Sequence, residues 1–240
     1  MFEYLAFDAD DTLWHSERLY AEIQKRFTRM LSHYHDSEWI NERLYQTEIR
    51  NIKHFGYGIK AFSLSLIETA IELTEGRISS SEIKEIVNWS KEMLNSEVEL
   101  LPDVNRVISR LSAQYPLMII TKGDLLDQEA KIKKSGLADY FQHIEIVSQK
   151  SAESYGGLFK KHGITPNRFI MVGNSLPSDI LPVLKLGGSA VHIPYEITWL
   201  HEAAEPPPDD HPGYYQLKAI GELPGLLEQI VLNSEWINKS

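Results

Sequence analysis

Apolar residues follow two rhythms along this chain. Short, mostly apolar runs of strand length occur at Phe2 to Phe7, Leu117-Met118-Ile119-Ile120, His143 to Val147, Phe169-Ile170-Met171-Val172 and Ser189 to Ile193. From residue 101 onward, longer amphipathic stretches separate these runs. They predict helices over about 103–114, 125–135, 152–162 and 178–186, with Gly136, Gly163 and Gly187-Gly188 closing the last three. Pro182 is compatible with the last of these only near its first turn. Strand–helix alternation of this kind predicts a parallel sheet with crossover helices. An edge strand from Tyr214 to Ile220 and a helix from Pro224 to Leu232 are expected to finish the chain.

Residues 15–98 keep to the helical period and contain no convincing strand. Leu19, Ile23, Phe27, Met30 and Leu31 form one stripe; Trp39, Ile40, Leu44, Tyr45, Ile49 and Ile52 form a second. A glycine-broken segment, His54-Phe55-Gly56-Tyr57-Gly58, precedes a third helix that Gly76 closes, and Ser79-Ser80-Ser81-Glu82 starts a fourth. Four helices with short connections predict a small antiparallel bundle, with Trp39 and Trp89 in its core. A bundle cannot pair the backbone of the opening strand, so that strand must join the later sheet. The bundle is then an insertion, hinged near 14 and 100. The fold expected is α/β: a Rossmann-like parallel-sheet core of residues 1–14 and 101–240, carrying a four-helix domain at 15–100.

Composition narrows the picture. The 240 residues are 42% hydrophobic, which is enough for a sizeable core, and no run of eighteen apolar residues offers a transmembrane helix. The first residues read as a strand and not as a signal peptide. The absence of cysteine excludes disulfides, thiolate metal sites and a cysteine nucleophile. A cytoplasmic protein is expected. The net charge of −10 argues against a nucleic-acid surface, while leaving room for small anions at a local cation. His201 and His211, in the proline-rich stretch after the fifth run, read as part of a solvated loop.

The candidate chemistry lies where the runs end. The first stops at Asp8-Ala9-Asp10-Asp11-Thr12. Crowded carboxylates at a strand end are costly unless a cation or a reaction uses them, and ligands bind at the carboxyl ends of strands in open α/β sheets. The same residue types also cap helices. The later runs end at Thr121-Lys122-Gly123-Asp124, near Lys150, and at Gly173-Asn174-Ser175 with Asp179 close behind. Each taken alone reads equally well as a cap, a turn or a surface lysine. Together they place a nucleophile, a second carboxylate, a hydroxyl, an ammonium and a metal-ligand position at successive strand ends.

In these motifs the chain resembles phosphohydrolases of the haloacid dehalogenase superfamily. Asp8-x-Asp10-x-Thr12 matches the first motif, Thr121 the second, Lys150 the third, and Gly173 to Asp179 part of the fourth. The resemblance implies a magnesium-dependent phosphatase acting on a small phosphorylated metabolite, as a monomer or homodimer and away from membranes. Asp8 would form an aspartyl phosphate, and Asp10, its pKa raised by neighbouring negative charge, would serve as acid and base. Thr121 and the backbone N–H groups of Lys122 and Gly123 would hold phosphoryl oxygens, and Lys150 would neutralise their charge. Magnesium would bind Asp8, the Asp10 carbonyl, Asn174 and Asp179. Asn174 departs from the family's usual aspartate, which implies weaker magnesium binding. Asp11 stands where glycine is common, either adding negative potential or capping the turn. The helical domain would close over the site as a cap, with His54, Tyr57 and Lys60, together with Phe55, Trp14 and His15, as candidates for substrate selection. A phosphomutase and a catalytically weakened phosphate-binding module are the alternatives.

Overall fold

The computed structural model describes residues 2–197, 199–208 and 210–237. Strand β1 (Tyr4–Phe7) is followed by helices α1 (Glu17–Leu31), α2 (Ser37–Phe55), α3 (Ile59–Leu73) and α4 (Ser80–Asn95). The alternating part runs α5 (Val104–Ser112), β2 (Leu117–Lys122), α6 (Leu125–Lys134), β3 (His143–Val147), α7 (Ala152–His162), β4 (Phe169–Gly173), α8 (Leu181–Lys185), β5 (Ser189–His192), β6 (Tyr214–Gln216) and α9 (Leu223–Ile237).

The strands form one sheet in the order β3-β2-β1-β4-β5-β6, and every pairing is parallel. β1 therefore sits in the middle, with Leu5 opposite both Leu117 and Ile170. Alternation along the strands splits the core in two. Leu5, Phe7, Ile119 and Ile170 pack on one face with Val107, Leu111 and Leu227. Ala6, Met118, Ile120 and Met171 pack on the other with Tyr155, Phe159 and Val183. Both faces of the central strands are covered, as the apolar runs of β2 and β4 require.

The inserted helices have their own apolar cluster, centred on Ile23, Phe27, Leu44, Leu66, Ile86 and Trp89. Local chemistry sets their ends. Asp36 accepts from the Trp39 N–H at the start of α2, and Ser79 and Glu82 cap α4 reciprocally. The chain leaves and re-enters the sheet through two segments that run side by side: Trp14 bridges Leu100 antiparallel, His15 N–H donates to Glu99 O, and Leu101 N–H donates to Leu13 O.

The structure corrects three details. Trp39 is 48% exposed, whereas Trp89 is buried, because α2 turns Ile40 and Leu44 inward instead. The last strand ends at Gln216, and Ile220 instead opens a short 3-10 turn. The segment after β4 begins as a single π turn over Leu176–Ile180 before the short α8, so Pro177 and Pro182 each lie in a first turn. Trp89→Ala should destabilise the protein by about 3–5 kcal/mol, and Trp39→Ala by about 0.5 kcal/mol or less, as read from chemical denaturation.

Candidate active site

The carboxyl ends of β1, β2 and β4 line up in register, so Asp8, Thr121 and Asn174 meet beside the insertion. Lys150, three residues beyond β3, reaches the same point. Its ammonium is enclosed, with the side chain 1% exposed, and it donates to Asp8 Oδ1 and, at 2.7 Å, to Asp179 Oδ1. Burial alone would pull the Lys150 pKa down, but the two carboxylates outweigh it and raise it. Burial pushes Asp8 up to about 7, with the charges of Asp179 and Asp10 adding to the effect and Lys150 opposing it.

Asp179 is spoken for. Its second oxygen accepts from the Ser175 N–H at 3.1 Å, and the absence of a side chain at Gly173 makes room for it, since a Cβ there would lie 2.3 Å from Oδ2. Asp179, expected among the metal ligands, stands behind Lys150 in this structure and fixes the ammonium.

Asp10 differs from expectation in the opposite sense. Burial favours its neutral form, but Lys131 Nζ donates to both carboxylate oxygens at 2.8 Å, joined by Gln128 Nε2 at 2.8 Å and Trp14 Nε1 at 2.7 Å. These donors win, and the Asp10 pKa is lowered. The neighbouring negative charge expected to raise it is outmatched by an ammonium that sequence reading had left out.

Three oxygens converge beside this pair. With its nitrogen turned inward, the Asn174 amide donates to Thr12 Oγ1 at 3.1 Å and to Asp8 Oδ2 and the Asp10 carbonyl at 3.3 Å each. With its oxygen turned inward, the amide accepts from the Thr12 hydroxyl at 3.1 Å and completes a set of three oxygens with Asp8 Oδ2 and the Asp10 carbonyl. An oxygen-only set with one carboxylate suits a hard divalent cation that keeps some of its waters. Among the described residues no group of three His, Cys, Asp or Glu side chains could hold a metal; any ion here would depend on a carbonyl and an amide as well as Asp8.

Of the other predicted residues, Thr121 is buried, lines the cavity and accepts from Gln128 Nε2 at 3.2 Å. Gly123 has φ of 145° and sits close against Gln128. Lys122 and Tyr57 also line the cavity, with the Lys122 ammonium 4.4 Å from the centre of the Tyr57 ring. His54 and Phe55 are exposed and outside the cavity. Lys60 is half exposed and bonds Asp124 at 2.9 and 3.0 Å, tying α3 to the start of α6 away from the cavity. Trp14 is buried beneath Asp10, and His15 bonds the Tyr195 hydroxyl at 2.6 Å. Asp11, at φ 60°, accepts from the Ser16 and Glu17 N–H groups at the start of α1, and it also lines the cavity.

Five cavity residues carried no assignment from the sequence. Lys131 and Gln128 lie three residues apart on α6, the spacing that puts both on the face toward Asp10. Glu202, in the stretch read as solvated loop, accepts from Lys122, Ser175 and, at 2.9 Å, Ser178. Glu17 and Glu48 line the cavity from the insertion. The loop residues carried no sequence signal, because no periodicity says where a loop folds back.

The chain matches the haloacid dehalogenase-like hydrolase family over residues 2–187. It belongs to that family. The hydrolase is 37% identical to a haloacid dehalogenase-like family hydrolase from Xanthomonas campestris, over 100% of this chain and 95% of that one, with a TM-score of 0.87. More distant folds include the HAD-hydrolase YfnB from Bacillus subtilis bound to magnesium (17% identity, TM-score 0.65, 94% and 98% covered). The L-2-haloacid dehalogenase from Xanthobacter autotrophicus is similarly placed (17%, 0.66, 95% and 99%). No curated protein matches significantly. In this hydrolase the cap at Asp11 should be separable from charge. Asp11→Ala is expected to lose about 1–2 kcal/mol, whereas Asp11→Asn, which tolerates the left-handed conformation and still accepts, should stay within about 0.5 kcal/mol, as measured by denaturation.

Proposed function

We propose that this hydrolase is a magnesium-dependent phosphatase that cleaves a small phosphomonoester through an aspartyl phosphate on Asp8. The observation that carries the reading is the meeting of Asp8 with a buried ammonium on one oxygen and with the Asp10 carbonyl and Asn174 on the other. When bound, magnesium would supply positive charge at the phosphoryl oxygens and favour ionised Asp8. Asp8, Asn174 and the Asp10 carbonyl would hold it.

The chain's own residues account for the remaining steps. Lys150 holds Asp8 in position and offsets charge on the phosphoryl group. The Thr121 hydroxyl and the N–H groups of Lys122 and Gly123 receive its oxygens at the open end of β2. Asp8 attacks phosphorus, and the bond to the ester oxygen breaks. That oxygen takes its proton from the Lys131–Asp10 pair, whose ammonium is the protonated member. Water then attacks the aspartyl phosphate and returns a proton to the same pair through the Asp10 carboxylate, which releases phosphate and restores Asp8. The inserted helices act as the cap that shields these steps from bulk water. A dehalogenase reading draws on the L-2-haloacid dehalogenase fold neighbour, but it would leave the second aspartate with its three donors, and the oxygen set beside it, without a role.

Phosphate release from p-nitrophenyl phosphate should require magnesium, stop on chelation, and fall at least about a thousandfold in Asp8→Asn. Turnover that survives this substitution, or metal-independent halide release from a 2-haloalkanoate, would sink the phosphatase mechanism. Lys131→Met should lower kcat by about ten- to a hundredfold with a smaller effect on KM, and Lys131→Arg should recover part of that loss; an unchanged kcat would remove Lys131 from the proton path.

A further inference from the structure

The charges lining the cavity do not balance. Eight carboxylates face it, from Asp8, Asp10, Asp11, Glu17, Glu48, Asp127, Asp179 and Glu202, against three ammonium groups, from Lys122, Lys131 and Lys150. Each lysine is already paired. Lys150 holds Asp8 and Asp179, Lys131 holds Asp10 and Asp127, and Lys122 holds Glu202. Asp11 is satisfied by backbone N–H groups. The two that remain, Glu17 on α1 and Glu48 on α2, have no cationic partner among the described residues. Burial, reinforced by the charges of Asp10 and Glu202, pushes Glu17 up to about 7; burial, reinforced by the charge of Glu17, pushes Glu48 up to about 8.

These two carboxylates enter the cavity from α1 and α2 of the insertion, with Glu17 close enough to Asp10 and Glu202 to feel their charge. The wall around them is aromatic. Tyr20 packs edge-on against Phe62, with ring centres 5.1 Å apart, and Trp199 packs edge-on against Tyr57 at 6.2 Å. The Trp199 side chain also hydrogen-bonds Glu48. One of these rings already lies against an ammonium, that of Lys122. Gln128, on the same cavity wall as Asp10, spends its Nε2 on Asp10, Thr121 and the Lys122 carbonyl, and its buried Oε1 has no donor. Unpaired carboxylates among aromatic faces are the surroundings that bind organic cations, and a hydrated metal ion would gain little from the rings.

We infer that the leaving group carries a cationic nitrogen: the substrate is the phosphomonoester of an amino alcohol, with its ammonium held between Glu17 and Glu48. This rests on the phosphatase reading and names the substrate class for that same site. The cation supplies the charge that the cavity lacks, and phosphate and ammonium are then each held against groups of opposite sign.

The test compares charged substrates with neutral substrates of the same shape. Phosphocholine is paired with 3,3-dimethylbutyl phosphate, and phosphoethanolamine with n-propyl phosphate. The wild-type enzyme should favour the charged member of at least one pair by about tenfold or more in kcat/KM; the pair that responds distinguishes a quaternary from a primary ammonium. Glu48→Gln and Glu17→Gln should bring that ratio towards one. Calorimetry on Asp8→Asn should give the same order of binding without turnover. Hydrolysis of p-nitrophenyl phosphate with ratios near one in both pairs, or ratios unchanged by both Glu substitutions, would overturn the inference and leave the phosphatase reading standing. No hydrolysis of any phosphoester would overturn both.

Discussion

One buried ammonium governs the arrangement of this site. Lys150 is enclosed at the carboxyl end of the sheet between Asp8 and Asp179, and its charge opposes the burial that pushes Asp8 towards its neutral form. Removing one member of such a group leaves an uncompensated buried charge, at a general cost of about 3–5 kcal/mol. The rest of the local structure serves this requirement. Gly173 clears the space for Asp179, the Ser175 N–H satisfies its second oxygen, and the central place of β1 brings Asp8 within reach of a lysine from beyond β3. A polar cluster of this kind cannot slide along the sheet, because its members follow strands whose pairing register is fixed.

A second ion pair stands next to the first and works differently. Lys131 and Asp10 are less enclosed, and Asp10 accepts from Gln128 and Trp14 as well as from Lys131. Trp14 also bridges Leu100 in the two segments that connect the insertion to the sheet. The carboxylate nearest the proposed proton transfer is therefore held partly by a residue of the connection itself, so any change in how the insertion sits would be felt first at Asp10.

The architecture was legible in the sequence to the extent that apolar rhythm determines it. Strand runs at 4–7, 117–120 and 169–172 have no other use, and the helical stripes between 15 and 98 could not join them in a sheet. The residues at strand ends were legible for the same reason: a strand's last residue has a fixed place. What escaped depended on tertiary placement. Trp39 lies on a helix whose inward face was set by Ile40 and Leu44, and a stripe two residues wide did not show which edge would be exposed. His54 and Lys60 flank a glycine turn whose direction decides whether they face the cavity, and only Tyr57 does. Glu202 comes from a segment without periodicity, and Lys131 looked like any helix lysine until α6 was set against β1.

Glu202 lies past residue 187, where the match to the hydrolase family ends, yet it bonds Lys122, Ser175 and Ser178 at the cavity wall. Trp199, from the same loop, packs edge-on against the insertion's Tyr57. The reacting groups and part of this wall thus come from different stretches of chain. A substitution in the loop can reshape the cavity wall while Asp8, Lys150 and Asp179 keep the bonds among themselves, so selection of what enters and the chemistry done on it are physically separable in this fold.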